Sequence, residues 1–165
     1  MRLYIMRHGI AVDPGAPGSP GDAQRPLTPE GEQKTREVAG GLRELGIGPP
    51  LFFSSPLLRA LQTAKIVAKV LEFPEKQIRL TDALLPMAKP DLIFRELARL
   101  KEDEVICFGH GPHVDLAIAY ALGSRTPATE LKKSGVACLE FQAASPQKAV
   151  LRWLCPPKIL RRLPD

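Results

Sequence analysis

Cysteine, aromatic residues and long apolar runs are all scarce in this chain of 165 residues. Its 3 cysteines are odd in number and widely spaced, so they do not suggest a disulfide framework. Cys107, Cys138 and Cys155 each have apolar neighbours, which predicts reduced thiols in the core. The apolar run Leu3–Met6 is too short for a signal peptide, and no run approaches the ~18 residues of a membrane span. We therefore expect a cytoplasmic protein that does not associate with membranes.

Aromatic residues make up only 5% of the chain, while the net charge is +5. The segment from Glu130 to Asp165 holds 7 Lys and Arg against 3 Asp and Glu. A basic segment of this kind can attract an acidic substrate, or it can form a solvated face. No aromatic residues alternate with the basic ones to stack on bases, so nucleic acid is not an expected partner.

Short apolar runs alternate with helical patterns along the whole sequence. This order predicts a single domain, residues 1–165, of the three-layer α/β/α class, with a mostly parallel central sheet and helices on both faces. The predicted strands are Leu3–His8, Leu51–Ser54, Ile78–Leu80, Val105–Phe108, Val136–Phe141 and Ala149–Leu154.

Each predicted helix begins beside a proline. Thr28 is the expected N-cap of a helix that starts with Pro29 and ends before Gly46, and Ser55-Pro56 predicts a second helix start of the same type. The four helices are predicted over residues 29–45, 55–71, 90–100 and 112–122. Between the first strand and the first helix, the segment Gly9–Leu27 is too rich in glycine and proline for regular structure, and a loop of this length is often functional.

Polar residues follow three of the predicted strands. Arg7-His8-Gly9 ends the first strand, Ser54-Ser55 ends the second with Arg59 one turn into the next helix, and Gly109-His110-Gly111 ends the strand Val105–Phe108. Ligand sites of open α/β sheets lie at the carboxyl ends of the strands, so we expect these residues to converge. Guanidinium groups match phosphate oxygens, helix N-termini favour anions, and glycines permit close approach of the backbone. The pattern predicts a pocket for a compact anion such as phosphate.

These motifs resemble those of the histidine phosphatase superfamily, which shares its fold with the phosphoglycerate mutases. The resemblance rests on Arg7-His8-Gly9, on Gly109-His110-Gly111, and on the stretches Arg25-Pro26-Leu27-Thr28-Pro29-Glu30-Gly31 and Ser54-Ser55-Pro56-Leu57-Leu58-Arg59-Ala60-Leu61-Gln62-Thr63-Ala64. The short chain, the Arg25 stretch and the closing Leu151-Arg152-Trp153-Leu154 are most similar to the phosphohistidine phosphatase branch.

The resemblance implies a phosphatase that needs no cofactor or metal. His8 would be the nucleophile, with Arg7, Arg59 and His110 lining the phosphate pocket as its catalytic partners. Gly9, Gly111 and Arg25 would complete the substrate-binding set, with Arg25 near the mouth of the pocket. His8 would attack as the neutral imidazole and form a phosphohistidine that water then hydrolyses.

The leaving group separates the branches of this superfamily. Ester phosphatases add a carboxylic acid that protonates the departing oxygen, and the corresponding segment here contains Asp82 as its only acid. A missing acid favours phosphohistidine, because its P–N bond breaks readily once the imidazole is protonated by solvent. A phosphohistidine-carrying protein is therefore the predicted substrate. The alternatives are a small-molecule phosphomonoester phosphatase, a non-enzymatic phosphate-binding module, and a metal site built on His8, His110, His113 and Asp115.

Overall fold

The computed structural model describes residues 1–48, 50–141 and 148–163. Six strands form one sheet in the order β3-β2-β4-β1-β5-β6. Strands β1 to β4 run parallel, whereas β5 pairs antiparallel with both β1 and β6. The strands are β1 (Arg2–Arg7), β2 (Leu51–Ser54), β3 (Arg79–Leu80), β4 (Glu104–Gly109), β5 (Val136–Phe141) and β6 (Ala149–Cys155). The mostly parallel sheet predicted from the sequence is confirmed.

Five helices flank this sheet: α1 (Pro29–Glu44), α2 (Leu58–Val70), α3 (Asp91–Leu97), α4 (His113–Ala121) and α5 (Pro157–Leu160). Helix α1 starts as predicted, since Thr28 Oγ1 accepts a hydrogen bond from the Gly31 N–H at 3.0 Å. Helix α3 ends three residues earlier than predicted, at Leu97, whereas α4 differs from its prediction by one residue at each end. Within the described ranges, no helix is long and apolar enough to cross a membrane.

Helices cover both faces of the sheet, which confirms the three-layer architecture. Leu3 and Ile5 of β1 pack into a core with α3 and α4, whereas Tyr4 and Met6 pack into a second core with α1, α2 and α5. Strand β4 alternates in the same way. This two-sided burial explains the nearly continuous apolar runs of the central strands. Two of the cysteines, Cys107 and Cys138, are buried, and the three thiols are free, as predicted.

The predicted start of the second helix at Ser55-Pro56 is wrong. Helix α2 begins at Leu58, with Leu57 at the N-cap position and no side-chain cap. The Ser55 hydroxyl instead accepts the Leu57 N–H at 3.3 Å and lies 2.8 Å from a ring nitrogen of His110. The cap-then-proline pattern was misleading because Ser55 belongs to the site at the end of β2.

The segment between β1 and α1 contains little regular structure, as predicted. It holds one short 3-10 turn at Asp22–Gln24 and an isolated antiparallel bridge between Ala11 and Leu27. The bridge closes the two ends of the segment, so the intervening residues form a closed loop above the carboxyl edge of the sheet.

Candidate active site

Three neighbouring strands deliver the site residues to one edge of the sheet. Strands β2, β4 and β1 are adjacent and parallel, so their carboxyl ends lie side by side. Ser55, His110 and His8 follow these strands directly. The imidazole rings of His8 and His110 have centroids 5.0 Å apart at an interplanar angle of 52°. The convergence predicted from the strand ends is therefore present.

The tautomer of His8 follows from its backbone contact. Its Nδ1 lies 2.7 Å from the carbonyl oxygen of Gly9, and a carbonyl can only accept a hydrogen bond. Nδ1 must therefore hold the proton, which leaves the lone pair of Nε2 free. The residue is only 7% exposed, so the ring orientation is fixed by the surrounding protein. This arrangement presents Nε2 as a nucleophile.

Gly9 supports His8 rather than offering a free amide. Its N–H donates to Thr63 Oγ1 at 3.0 Å, and a Cβ at this position would lie 2.5 Å from Thr35 Oγ1. The Thr63 hydroxyl in turn donates to the carbonyl of Arg59 at 2.7 Å. The loop after β1 is thus tied to α2, and only glycine fits between the two helices. Sequence reasoning placed Gly9 in the substrate-binding set but missed Thr63.

The two arginines are held by backbone carbonyls. Arg7 Nη1 donates to the carbonyl of Leu131 at 2.9 Å, and Arg59 Nη1 donates to the carbonyl of Asp22 at 2.8 Å. Their Nε atoms are buried, and neither has a hydrogen-bond partner in the described part of the chain. The Nδ1 atom of His110 is likewise buried without a hydrogen-bond partner among the described residues. Buried donors without partners are costly, and an anion with several acceptor oxygens would satisfy them.

Gly111 lies against the Arg7 guanidinium. A Cβ at this position would come within 3.0 Å of Arg7 Cζ, so the backbone of the β4–α4 connection approaches the guanidinium face directly. A side chain at this position would crowd the guanidinium and force it to shift by a few tenths of an ångström. Gly111 therefore shapes the pocket wall, next to His110.

Arg25 and Asp22 form a bridge at the rim. Arg25 donates through Nε and Nη2 to Asp22 Oδ1 at 2.9 and 2.7 Å, and through Nη1 to the carbonyl of Val12. The second carboxylate oxygen of Asp22 lies 3.3 Å from Arg59 Nη2. Asp22 thereby connects Arg25 to Arg59, which places Arg25 beside the pocket as the sequence suggested. Asp22 itself was not singled out; an acid three residues before Arg25 was the available signal.

Both pocket histidines are neutral at physiological pH. Burial lowers the pKa of His8 to about 4, and the positive charges of Arg59 and Arg7 add to this effect against the opposing Gly9 carbonyl. Burial lowers the pKa of His110 to about 2, with His8 and Arg59 as further causes. Burial also lowers the pKa of Arg59, and the Asp22 carboxylate opposes that shift. The positive charge of the pocket therefore comes from arginines, and His110 acts as a neutral hydrogen-bonding group.

The residues of the alternative metal site do not converge. Asp115 Oδ1 accepts hydrogen bonds from Thr129 Oγ1 and from the Leu131 N–H at 2.8 and 2.9 Å. His113 is fully buried beside Leu84 in the core. Among residues 1–48, 50–141 and 148–163, no group of three or more His, Cys, Asp or Glu side chains could hold a metal ion. The two guanidinium groups in the pocket of His8 and His110 would repel a metal cation.

Asp82 follows the edge strand β3, not one of the three strands whose ends carry the pocket residues. It begins a 3-10 turn (Asp82–Leu84) that follows β3, and its side chain is exposed. Thr81 Oγ1, not Asp82, caps this turn by accepting the Ala83 N–H at 3.1 Å. Asp82 is therefore not the cap of this turn, and its side chain is exposed to solvent.

Comparison with known proteins identifies the family. The model of the histidine phosphatase superfamily (branch 1) matches residues 3–87. The chain is 36% identical over 148 residues to an uncharacterized protein of a Picosynechococcus species, covering 87% of each chain. It is 31% identical over 130 residues to the phosphohistidine phosphatase SixA of Escherichia coli, covering 77% of this chain and 78% of SixA.

A solved structure shows the same arrangement of elements. The protein histidine phosphatase SixA, solved as a complex with tungstate, superposes with a TM-score of 0.86 at 27% identity and covers 97% of this chain and 99% of its own. Sequence and fold agree with the geometry of the pocket. The chain therefore belongs to the histidine phosphatase superfamily and is a phosphatase.

Proposed function

We propose that this protein is a metal-independent phosphohistidine phosphatase in which His8 is the nucleophile. The observation that supports the nucleophile is the hydrogen bond from His8 Nδ1 to the Gly9 carbonyl, because it leaves a lone pair on Nε2 in a pocket that also holds buried nitrogen atoms without partners among the described residues. The similarity to SixA, in sequence to the Escherichia coli protein and in structure to the tungstate complex, supports phosphohistidine as the substrate class.

The first step is transfer of the phosphoryl group to His8. The Nε2 lone pair forms a bond to phosphorus while the P–N bond of the substrate breaks, and the departing imidazole nitrogen takes a proton from solvent. Arg7 and Arg59 face the phosphoryl oxygens, where charge is distributed during transfer, and His110 donates a hydrogen bond. His8 need not lose a proton first, since its low pKa keeps it neutral.

The second step returns the enzyme to its starting state. A water oxygen attacks the phosphorus of the phosphorylated His8, the P–Nε2 bond breaks, and inorganic phosphate leaves. The water proton goes to solvent or to the released phosphate, and the Nε2 lone pair is restored. The Gly9 carbonyl continues to hold Nδ1–H, so the ring keeps its orientation through both steps.

Neither Asp82 nor Asp22 is suited to protonate a departing alkoxide, which favours a P–N substrate over an alkyl ester. Asp82 is exposed and Asp22 is held by two arginines, which lower its pKa through hydrogen bonds and charge. A carboxylate held in its ionised form is a poor proton donor for an alkoxide. Phosphohistidine needs only a solvent proton on its imidazole.

Rapid-quench labelling tests the mechanism. Mixing the enzyme with radiolabelled phosphohistidine should produce an acid-labile, alkali-stable phosphoenzyme, and His8→Ala should give none while keeping its circular dichroism spectrum. A folded His8→Ala protein with near wild-type turnover would overturn the assignment of His8. Activity should persist after exhaustive chelation, and loss on dialysis against EDTA followed by recovery with zinc or magnesium would overturn the metal-independent mechanism.

A substrate panel tests the substrate class. Phosphohistidine and aryl phosphates should have a much higher kcat/KM than phosphoserine and sugar phosphates. A sugar phosphate or another small phosphomonoester at the head of the ranking would favour the small-molecule alternative.

A further inference from the structure

A strongly basic groove lies beside the phosphate pocket. Its volume is about 880 Å³. One wall of the groove is formed by residues 130–134, which directly precede β5. The other wall is formed by residues 157–162, in and after α5, and Lys34 of α1 also contributes to the lining. We call it the basic groove, and its cationic lining residues are Lys34, Lys132, Lys133, Lys158, Arg161 and Arg162, together with Arg7 at its inner end. Glu130 is the one carboxylate among the described lining residues.

Part of this charge is not neutralised by neighbours. Lys34 pairs with Glu30, Lys132 with Glu130 and Arg161 with Glu37. By contrast, Lys133, Lys158 and Arg162 are exposed, and none of them lies within 4.0 Å of a carboxylate in the part of the chain that the structure describes. The basic groove therefore holds a surplus of positive charge in solvent.

Arg7 connects the basic groove to the phosphate pocket. Its guanidinium donates to the Leu131 carbonyl, one residue before Lys132. The Ser134 N–H donates to the carbonyl of Arg7 at 3.0 Å, and the Gly135 N–H donates to the carbonyl of Lys132 at 2.7 Å. These bonds hold the Lys132-Lys133 turn beside Arg7.

The opposite wall of the basic groove is also anchored. Leu160 of α5 is fully buried in the core, and its carbonyl packs against Gly41 of α1, where a Cβ would come within 2.1 Å of that oxygen. Lys158 lies on this helix, and Arg162 follows its end by two residues. Two distant parts of the sequence are thus held rigidly enough to present their cations to one ligand.

We propose that the basic groove binds an acidic stretch of the phosphoprotein substrate while the phosphohistidine occupies the phosphate pocket. This inference rests on the proposed function. The phosphate pocket already supplies buried donors for a single phosphoryl group, so the exposed lysines of the groove match carboxylates spread along a chain. The described lining residues include no aromatic side chain for base stacking, which disfavours single-stranded nucleic acid. A concave groove accepts a segment that enters it more readily than a flat bilayer.

Matched peptides and matched variants test the inference. One phosphohistidine peptide has aspartates on both flanks, and its twin has asparagines at the same positions. Three enzymes are compared: the wild type, the groove variant Lys133→Gln/Lys158→Gln/Arg162→Gln, and a control variant. The control, Lys69→Gln/Lys76→Gln/Lys101→Gln, removes the same number of charges from exposed residues outside the groove lining. Turnover of p-nitrophenyl phosphate serves as the reference for each enzyme.

At low ionic strength, the wild type should have a kcat/KM about tenfold higher for the acidic peptide than for its twin. The preference should fall to about twofold or less near 0.5 M salt because the exposed charges are screened. The groove variant should lose the preference and the control variant should keep it, while both retain p-nitrophenyl phosphate turnover within about twofold, since a small substrate makes no contact with the exposed cations.

Binding of the unphosphorylated peptides separates the two proposals. Fluorescence anisotropy with labelled peptides measures binding to the basic groove even if phosphohistidine is not hydrolysed. Hydrolysis of both phosphorylated peptides at equal rates would leave the proposed function standing but would overturn the groove inference. Equal binding of acidic and neutral peptides would also overturn it. The groove inference would also be overturned if neither peptide were preferred while RNA, or vesicles containing phosphatidylserine, bound the wild type but not the groove variant.

Discussion

The buried guanidinium of Arg59 and the exposed carboxylate of Asp22 share an ion pair at the rim of the phosphate pocket. The Arg59 side chain is 4% exposed and that of Asp22 is 61% exposed, with 3.3 Å between Nη2 and Oδ2. Asp22 thus occupies part of the guanidinium that a phosphoryl group would contact. The loop supplies an internal anion that a substrate must compete with or displace.

Asp22→Asn should tighten the binding of inorganic phosphate. The amide oxygen can still accept from Arg59 and Arg25, but the negative charge that repels the incoming dianion is gone. We expect the inhibition constant of phosphate to fall about threefold, a size typical of one partly exposed charge pair. The control is Asp13→Asn, which removes the same charge from an exposed position of the same loop. Equal or weaker inhibition of Asp22→Asn would show that Asp22 only positions the arginines.

Arg59→Ala should reduce kcat/KM by well over tenfold toward every phosphorylated substrate. Its guanidinium is fixed by the Asp22 carbonyl, and a positioned donor of this kind typically contributes a few kcal/mol in the transition state. Arg59→Lys should recover little, because an ammonium cannot reproduce the planar fork. Arg36→Ala, at an exposed position of α1, is the control and should leave kcat/KM unchanged. Steady-state kinetics on p-nitrophenyl phosphate gives the comparison.

The free energy of unfolding should decline below about pH 6.5. His8, His110 and His113 are buried and their pKa values are lowered, so the unfolded chain binds protons that the folded chain does not accept. Above about pH 6.5, none of these histidines makes the free energy of unfolding depend on pH. Below it, each histidine lowers that free energy by up to about 1.4 kcal/mol per pH unit until the pH reaches its pKa in the folded protein. Urea titrations at pH 7.5 and pH 5.5 measure the difference.

His113→Phe should make this decline shallower. Both ring nitrogens of His113 are buried without a hydrogen-bond partner in the described part of the chain, and the residue lies outside the phosphate pocket. An aromatic ring of similar shape removes its titration and leaves the apolar contacts with Leu84 and Ile93. An unchanged pH dependence in His113→Phe would mean that His113 is not a source of the acid sensitivity.

Asp82→Asn should change the hydrolysis of phosphohistidine by less than about twofold, within the range of an exposed charge. The carboxylate is exposed after β3, and the P–N reaction needs no proton from it. Measuring kcat/KM for phosphohistidine and phosphoserine side by side decides the point. A large loss with phosphoserine as the better substrate would identify Asp82 as a general acid and place the enzyme in an ester phosphatase branch.

The order of elements and the meeting of Arg7, His8 and His110 at one edge could be predicted from the sequence. Apolar runs of four to six residues without polar alternation are typical of the central strands of a parallel sheet, which are buried on both faces. Once the strands are parallel, residues that follow them must share an edge. The role of Thr28 as N-cap was likewise local and therefore predictable, since the cap and the amide it serves are three residues apart.

Contacts between distant segments could be decided only by the tertiary structure. Ser55 has the local pattern of a helix cap, yet its hydroxyl bonds to His110, 55 residues away. The pairing of Asp22 with Arg59 spans 37 residues. The basic residues looked scattered because Lys133 and Lys158 are separated in sequence, and folding places both in one groove. Local propensity and periodicity encode elements and strand ends, whereas the hydrogen-bond partners of a polar side chain depend on which remote backbone the closed fold brings within about 3 Å.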